Sequence, residues 1–154
     1  MAVVAKATII NDIFHEFYDL IHFYVADPNR RSKWFFNSYP DFILDSASIR
    51  DSDYPLMVIG RPSTPHKILT FQKSMVNFVI TVEIMATNGS QCTTLADSVV
   101  NAVLSRRPSL ADSGLQLVDL QNSDDDMVMR GESKVHIITL TFKGRFAFLK
   151  VPGS

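Results

Sequence analysis

The chain has 154 residues, 46% hydrophobic and 20% charged, which is the balance of one ordinary globular domain and not of a disordered or fibrous chain. Its 15 basic and 16 acidic residues leave a formal net charge of −1, so bulk charge announces neither a nucleic-acid surface nor an anionic-membrane one. The single Cys92 excludes an internal disulfide, cysteine zinc clusters and CxxC redox chemistry.

From residue 8 to 26, Ile9, Ile10, Ile13, Phe14, Phe17, Leu20, Ile21, Tyr24 and Val25 recur at spacings of three and four, which predicts an amphipathic helix. Asp27-Pro28 ends it, because the residue before proline is pushed out of the helical region. Asn11, Asp12, His15 and Glu16 interrupt the apolar run that a secretory signal needs, and no stretch reaches the ~18 apolar residues of a membrane span. A soluble protein, made and used inside a cell, is expected. Residues 29–53 read as a long connection with one short strand, opening on Arg30, Arg31 and Lys33 and followed by the aromatic run Trp34-Phe35-Phe36. A strand is expected at 54–59, closed by the turn residues Gly60, Pro62 and Pro65.

Residues 68–87 carry the clearest strand pattern, with Val76, Phe78, Ile80, Val82 and Ile84 on one side and Asn77, Thr81 and Glu83 opposite. Val79 and Met85 make the second face apolar too, so both faces are expected to be covered, one of them in part by another subunit. Asn88-Gly89 reads as a turn, Thr94 as the N-cap of a second helix running to about 107, and Pro108 as its stop. Two further runs, 115–120 and 134–142, form an antiparallel hairpin whose tip is the polar stretch 121–132, and 147–154 is left as a tail. Strands and helices segregated in this way predict a single α+β domain, a largely antiparallel sheet packed by two helices with a long β-hairpin.

Few residues assemble chemistry. His15 and His22 share a helical face but stand roughly 10 Å apart along the axis, too far to hold one metal, and with Asp19 they read as a solvated stripe. Asp124, Asp125 and Asp126 are consecutive, whereas calcium loops alternate their acidic ligands, so they read as a solvated hairpin tip. Arg30, Arg31, Lys33 and Trp34 set charge beside an aromatic, yet without a basic excess they suit a partner contact better than nucleic acid. The prolines of 60–65 remove the backbone donors of a phosphate cradle, and Cys92, with His136 or His66 as imagined partners, lacks any oxyanion or third-residue signature. No cofactor and no catalysis is expected.

The helix at 8–26, the strand YPLMVIG with its Pro-rich turn, the long strand SMVNFVITVEIMAT, the helix LADSVVNAVLSRR, and the hairpin from LQLVDLQNS to KVHIITLTFKGRF together resemble the tail terminator and tail-completion proteins of long-tailed viruses. The resemblance spans residues 9–146 and rests on element order and strand character. It implies a structural virion protein made in the host cytoplasm: a homohexamer-like ring of about six copies in the neck that caps the tail tube, joins it to head-tail connector proteins and lets DNA pass without sequence-specific contact. A head-tail adaptor or stopper is the near alternative. A small ferredoxin-like regulatory domain binding a metabolite between subunits is the rival from another class, and an enzyme built on Cys92 ranks third. For the ring seam, the candidate interface residues are Arg30, Arg31 and Lys33 on one side and Asp124, Asp125, Asp126 and Arg130 of the hairpin tip on the other.

Overall fold

A computed structural model describes residues 2–4, 9–31, 33–40, 51–63, 66–68, 73–130 and 133–150. In chain order it contains β1 (Ala2–Val4), α1 (Ile9–Tyr24), β2 (Phe35–Phe36), a turn of 3-10 helix at Asp51–Asp53, β3 (Leu56–Ile59), β4 (His66–Ile68), β5 (Lys73–Ala86), α2 (Gly89–Ser105), α3 (Arg107–Asp112), β6 (Leu115–Arg130) and β7 (Ser133–Lys150). The strands form one sheet in the order β1-β7-β5-β3-β2, with β4 also on β5 and β6 also on β7. Apart from β1 on β7 and β2 on β3, every pairing is antiparallel, so the α+β expectation holds. No helix among the described residues is long and apolar enough to cross a membrane.

Both long helices pack on one face. Ile13, Phe17 and Ile21 along α1 and Val25 just past its end, each four residues after the last, are buried, as are Cys92, Leu95, Ala96, Val99, Ala102 and Val103 along α2. They meet the alternating Val76, Phe78, Ile80, Val82 and Ile84 of β5 and Leu140, Phe142 and Phe146 of β7. Phe17 sits at the centre, its ring 5.7 Å from Phe78 and 5.9 Å from Phe142. Each such fully buried side chain contributes about 1.5–3 kcal/mol through apolar area removed from water.

Along the middle of β5 and β7 the opposite face is polar, with Asn77, Lys143 and Arg145 exposed and Thr81, Thr139 and Thr141 half-buried, while beside β3 it is apolar and covered, as expected. Met85 is covered by its own chain, in a second cluster with Tyr54, Leu56, Val58 and Val135, while Val79 stays 36% exposed.

Several boundaries differ from the sequence pattern for identifiable reasons. The run 68–87 is divided, since His66–Ile68 forms a separate strand folded back on β5. Helix α2 starts at Gly89, not Thr94: the Asn88 side chain accepts the Gln91 N–H at 3.1 Å and takes the cap, and the Thr94 hydroxyl inside the helix donates to Ser90 O at 2.9 Å. Pro108 opens α3 near its N-terminus, where a missing N–H costs nothing. The tail expected at 147–154 is paired as far as Lys150, by β5 on one side and β1 on the other, and β1 itself was not expected. Of the long connection, 41–50 lies outside the described residues, and the short strand found among the rest is β2.

Candidate functional site

The largest departure concerns the hairpin. Residues expected as a polar tip continue the strand: Asn122 through Arg130 pair with Thr141 back to Ser133, which leaves only 131–132 between the strands. Asp124, Asp125 and Asp126 are therefore strand residues facing Thr139, Ile138 and Ile137. Period two then splits them, with Asp125 on the helix side beside α2 and the other two on the polar face. Because β5 stops pairing at His136, the last residues of the hairpin reach beyond it. There Val128 packs on the second cluster, whereas Met127 and Met129 are 49% and 59% exposed. Among the described residues no further strand pairs with the outer edge of β6.

Two register shifts shape that edge. At the first, Leu117 and Val118 stand opposite the single residue Gly144. Leu115 faces the core, so strict alternation would turn Leu117 inward; the extra residue gives that place to Val118, which is buried, and turns Leu117 outward, 72% exposed at φ 54°. A leucine in the left-handed region costs about 1 kcal/mol or more, because Cβ crowds the following carbonyl. Arg107 holds the distortion: its Nε donates to Val118 O at 2.9 Å and its Nη2 to Asp119 Oδ1 at 3.0 Å. Gly144 is required opposite, since a Cβ there would stand 2.7 Å from Phe78 Cζ. The adjacent apolar pair Leu117-Val118, interrupting an alternating run, was the one sequence sign of this bulge.

The basic candidates separate. Arg31 is an internal tie: its Nε lies 2.9 Å from Asp27 Oδ2, its Nη1 donates to Asp53 O at 2.9 Å, and its Nη2 donates to Pro55 O. It joins the end of α1 to the entry of β3. Burial acts to raise the pKa of Asp27, and hydrogen bonds from Arg31 and the Asn29 and Arg31 amides outweigh it, leaving the carboxyl below its ordinary range. Arg30 and Lys33 are exposed, Arg30 with φ 54° and Lys33 with its Nζ 5.3 Å from the centre of the Phe36 ring. Arg130, at the far end of β6, is half-buried. Arg130 shares β6 with Asp124, Asp125 and Asp126, whereas Arg30 and Lys33 precede β2, at the other end of the strand order.

Cys92 is buried at the start of α2, its Sγ 3.4 Å from Ile84 O and 3.5 Å from His136 O. Burial pushes the thiol up to about 11, with the Asp125 carboxylate adding to the shift, so it is protonated at neutral pH and poorly suited to attack. The hollow above it, about 480 Å³ and lined by Gly89, Ser90, Thr93, Thr94, Asp125 and His136, is shallow and open. His15, Asp19 and His22 are exposed along α1, and no metal-holding group of His, Cys, Asp or Glu occurs among the described residues. On the polar face, the Tyr39 hydroxyl donates to the Glu83 carboxylate at 2.6 Å; burial first, and then that carboxylate, push Tyr39 up to about 12.

No family model matches the chain, and no curated protein does. Among solved structures it is similar to a chain in the virion of a native gene transfer agent particle, with 14% identity, 85% of this chain and 91% of that chain covered, and a TM-score of 0.49. A likeness that loose carries no role across.

Proposed function

We propose that the protein is a structural, non-catalytic subunit of a virion neck, a ring-forming tail terminator that caps the tail tube and meets the head connector. One observation carries the reading: the sheet ends in two unlike borders that no further strand pairs among the described residues, the 16-residue β6 on one side and the short β2 and β4 on the other. Long exposed edges are normally blunted or covered, and copies that join one border to a different one associate head to tail and close when the rotation permits. The order of elements, which resembles tail terminators, supplies the virion context. Exposed Arg30 and Lys33 at one border and Asp124 and Asp126 at the other are of opposite sign, which favours register over raw affinity and makes association salt-sensitive. Negative-stain electron microscopy of the purified protein, with mass determination in solution, tests the reading. Rings of about six subunits are expected. A monodisperse monomer or dimer at high concentration would overturn it and favour a ligand-binding domain.

A further inference from the structure

On the polar face of the sheet a hollow of about 430 Å³ is lined by Asn77 and Val79 of β5, Leu117 and Gln121 of β6, and Lys143 and Arg145 of β7. The strand register builds it: Asn77 stands opposite Arg145 and Val79 opposite Lys143, while Leu117 and Gln121 fall at the two register shifts of β6. Lys143 and Arg145 alternate around Gly144 and so share this face, roughly 7 Å apart along the strand. Among the described residues neither cation has an ion-pair partner, and Asp119, opposite Lys143 in the register, is held by Arg107 Nη2 at 3.0 Å. Glu83 and Asp124 stand opposite Thr139 and Asp126 opposite Ile137, four residues or more along β7 from Lys143. The hollow is thus cationic on a chain whose net charge is −1.

Three chemistries meet there. Two cations on one face match a dianionic phosphate, and the planar Arg145 guanidinium can donate to two of its oxygens at once. Val79, 36% exposed, and Leu117, 72% exposed, give a flat apolar body a wall to lie on. The amides of Asn77 and Gln121 offer donors and acceptors together, of which a bare oxyanion uses only the donors. Independently of the ring reading, we propose that this hollow binds a nucleoside phosphate, with the phosphate between Lys143 and Arg145, the base against Leu117 and Val79, and an amide on the base edge. The volume suits one nucleotide, and a free mononucleotide and a nucleotide unit of a single strand present the same groups.

Isothermal titration calorimetry of the full-length protein at low salt tests it, with dAMP, deoxyadenosine, inorganic phosphate and an oligodeoxyadenylate of about ten nucleotides as probes. Saturable dAMP binding with a Kd of about 1 mM or tighter is expected, and deoxyadenosine or phosphate alone should bind at least ~tenfold more weakly. Lys143→Gln combined with Arg145→Gln should weaken dAMP binding at least ~tenfold without moving the Tm, since both side chains are exposed. Asn77→Ala combined with Gln121→Ala should weaken dAMP binding and leave phosphate binding as it was. A per-site affinity for the oligonucleotide well above that for dAMP would make a single strand the source, and equal affinities a free nucleotide; either result keeps the site. Phosphate binding as tight as dAMP would mark a general anion site and overturn the nucleotide. No dAMP binding at ~10 mM, or a Lys143→Gln, Arg145→Gln variant that binds dAMP like wild type, would overturn the site itself.

Discussion

Replacing Arg31 by alanine separates an internal tie from an interface role. Asp27 is buried, with its side chain 4% exposed, and receives the Asn29 amide at 3.0 Å, the Arg31 amide at 2.7 Å and the guanidinium at 2.9 Å. Arg31→Ala keeps the two amide bonds and deletes the guanidinium along with its bonds to Ser52, Asp53 and Pro55 carbonyls. Removing one partner of a fully buried pair costs about 3–5 kcal/mol; because the Arg31 side chain is 24% exposed, water recovers part of this and about 2–3 kcal/mol remains. For a chain of this size that corresponds to a drop in Tm of roughly 5–10 °C. Urea unfolding at low protein concentration reads it directly, with buried Trp34 as the single tryptophan reporter. The pH dependence has a definite sign. The folded pKa of Asp27 lies below its unfolded value, so the tie is fully present above the ordinary carboxylate range and is lost as pH falls through the folded pKa. Arg31→Ala should therefore flatten that acid-side loss as well as lower the neutral-pH plateau. A variant within ~0.5 kcal/mol of wild type at neutral pH would refute the internal tie and return Arg31 to the seam.

Gly144→Ala should destabilise the protein by about 1–3 kcal/mol, because the added Cβ would stand 2.7 Å from Phe78 Cζ and 3.1 Å from the Gln116 carbonyl; a chemical denaturation curve superimposable on wild type would show that the core yields there. Asn88→Ala should cost about 1 kcal/mol and Thr94→Ala less than ~0.5, and the reverse ranking in thermal melts would restore the helix start to Thr94. Cys92, raised to about 11, should react with iodoacetamide at pH 8 only as fast as the protein opens; mass spectrometry showing alkylation at the rate of a free thiol would contradict its burial.

Much of the fold was legible because local period and tertiary role coincide. The spacing of Ile13, Phe17 and Ile21, and the alternation from Val76 to Ile84, each name the face that the core later buries. The hairpin's reach was not legible, because a strand paired on one side with its partner and exposed on both faces tolerates Asp124, Asp125 and Asp126, whereas the usual reading of consecutive carboxylates is a loop. Arg31 was legible as a cation but not as a tie, since its carbonyl partners at Ser52, Asp53 and Pro55 are more than twenty residues away.

By itself the sequence determined the two long helices, the main strands and the face each helix presents, because those depend on side-chain periods within a few residues of chain. It also determined the chemistry on offer: one thiol and a near-neutral charge. Only the tertiary structure decided that Val118 takes the inward place and Leu117 the outward one, since that follows from Gly144 and Phe78 on other strands and from Arg107 on a helix. It likewise decided that β6 and β2 stand at opposite ends of the strand order, because that order is set by long-range pairing that no local pattern encodes.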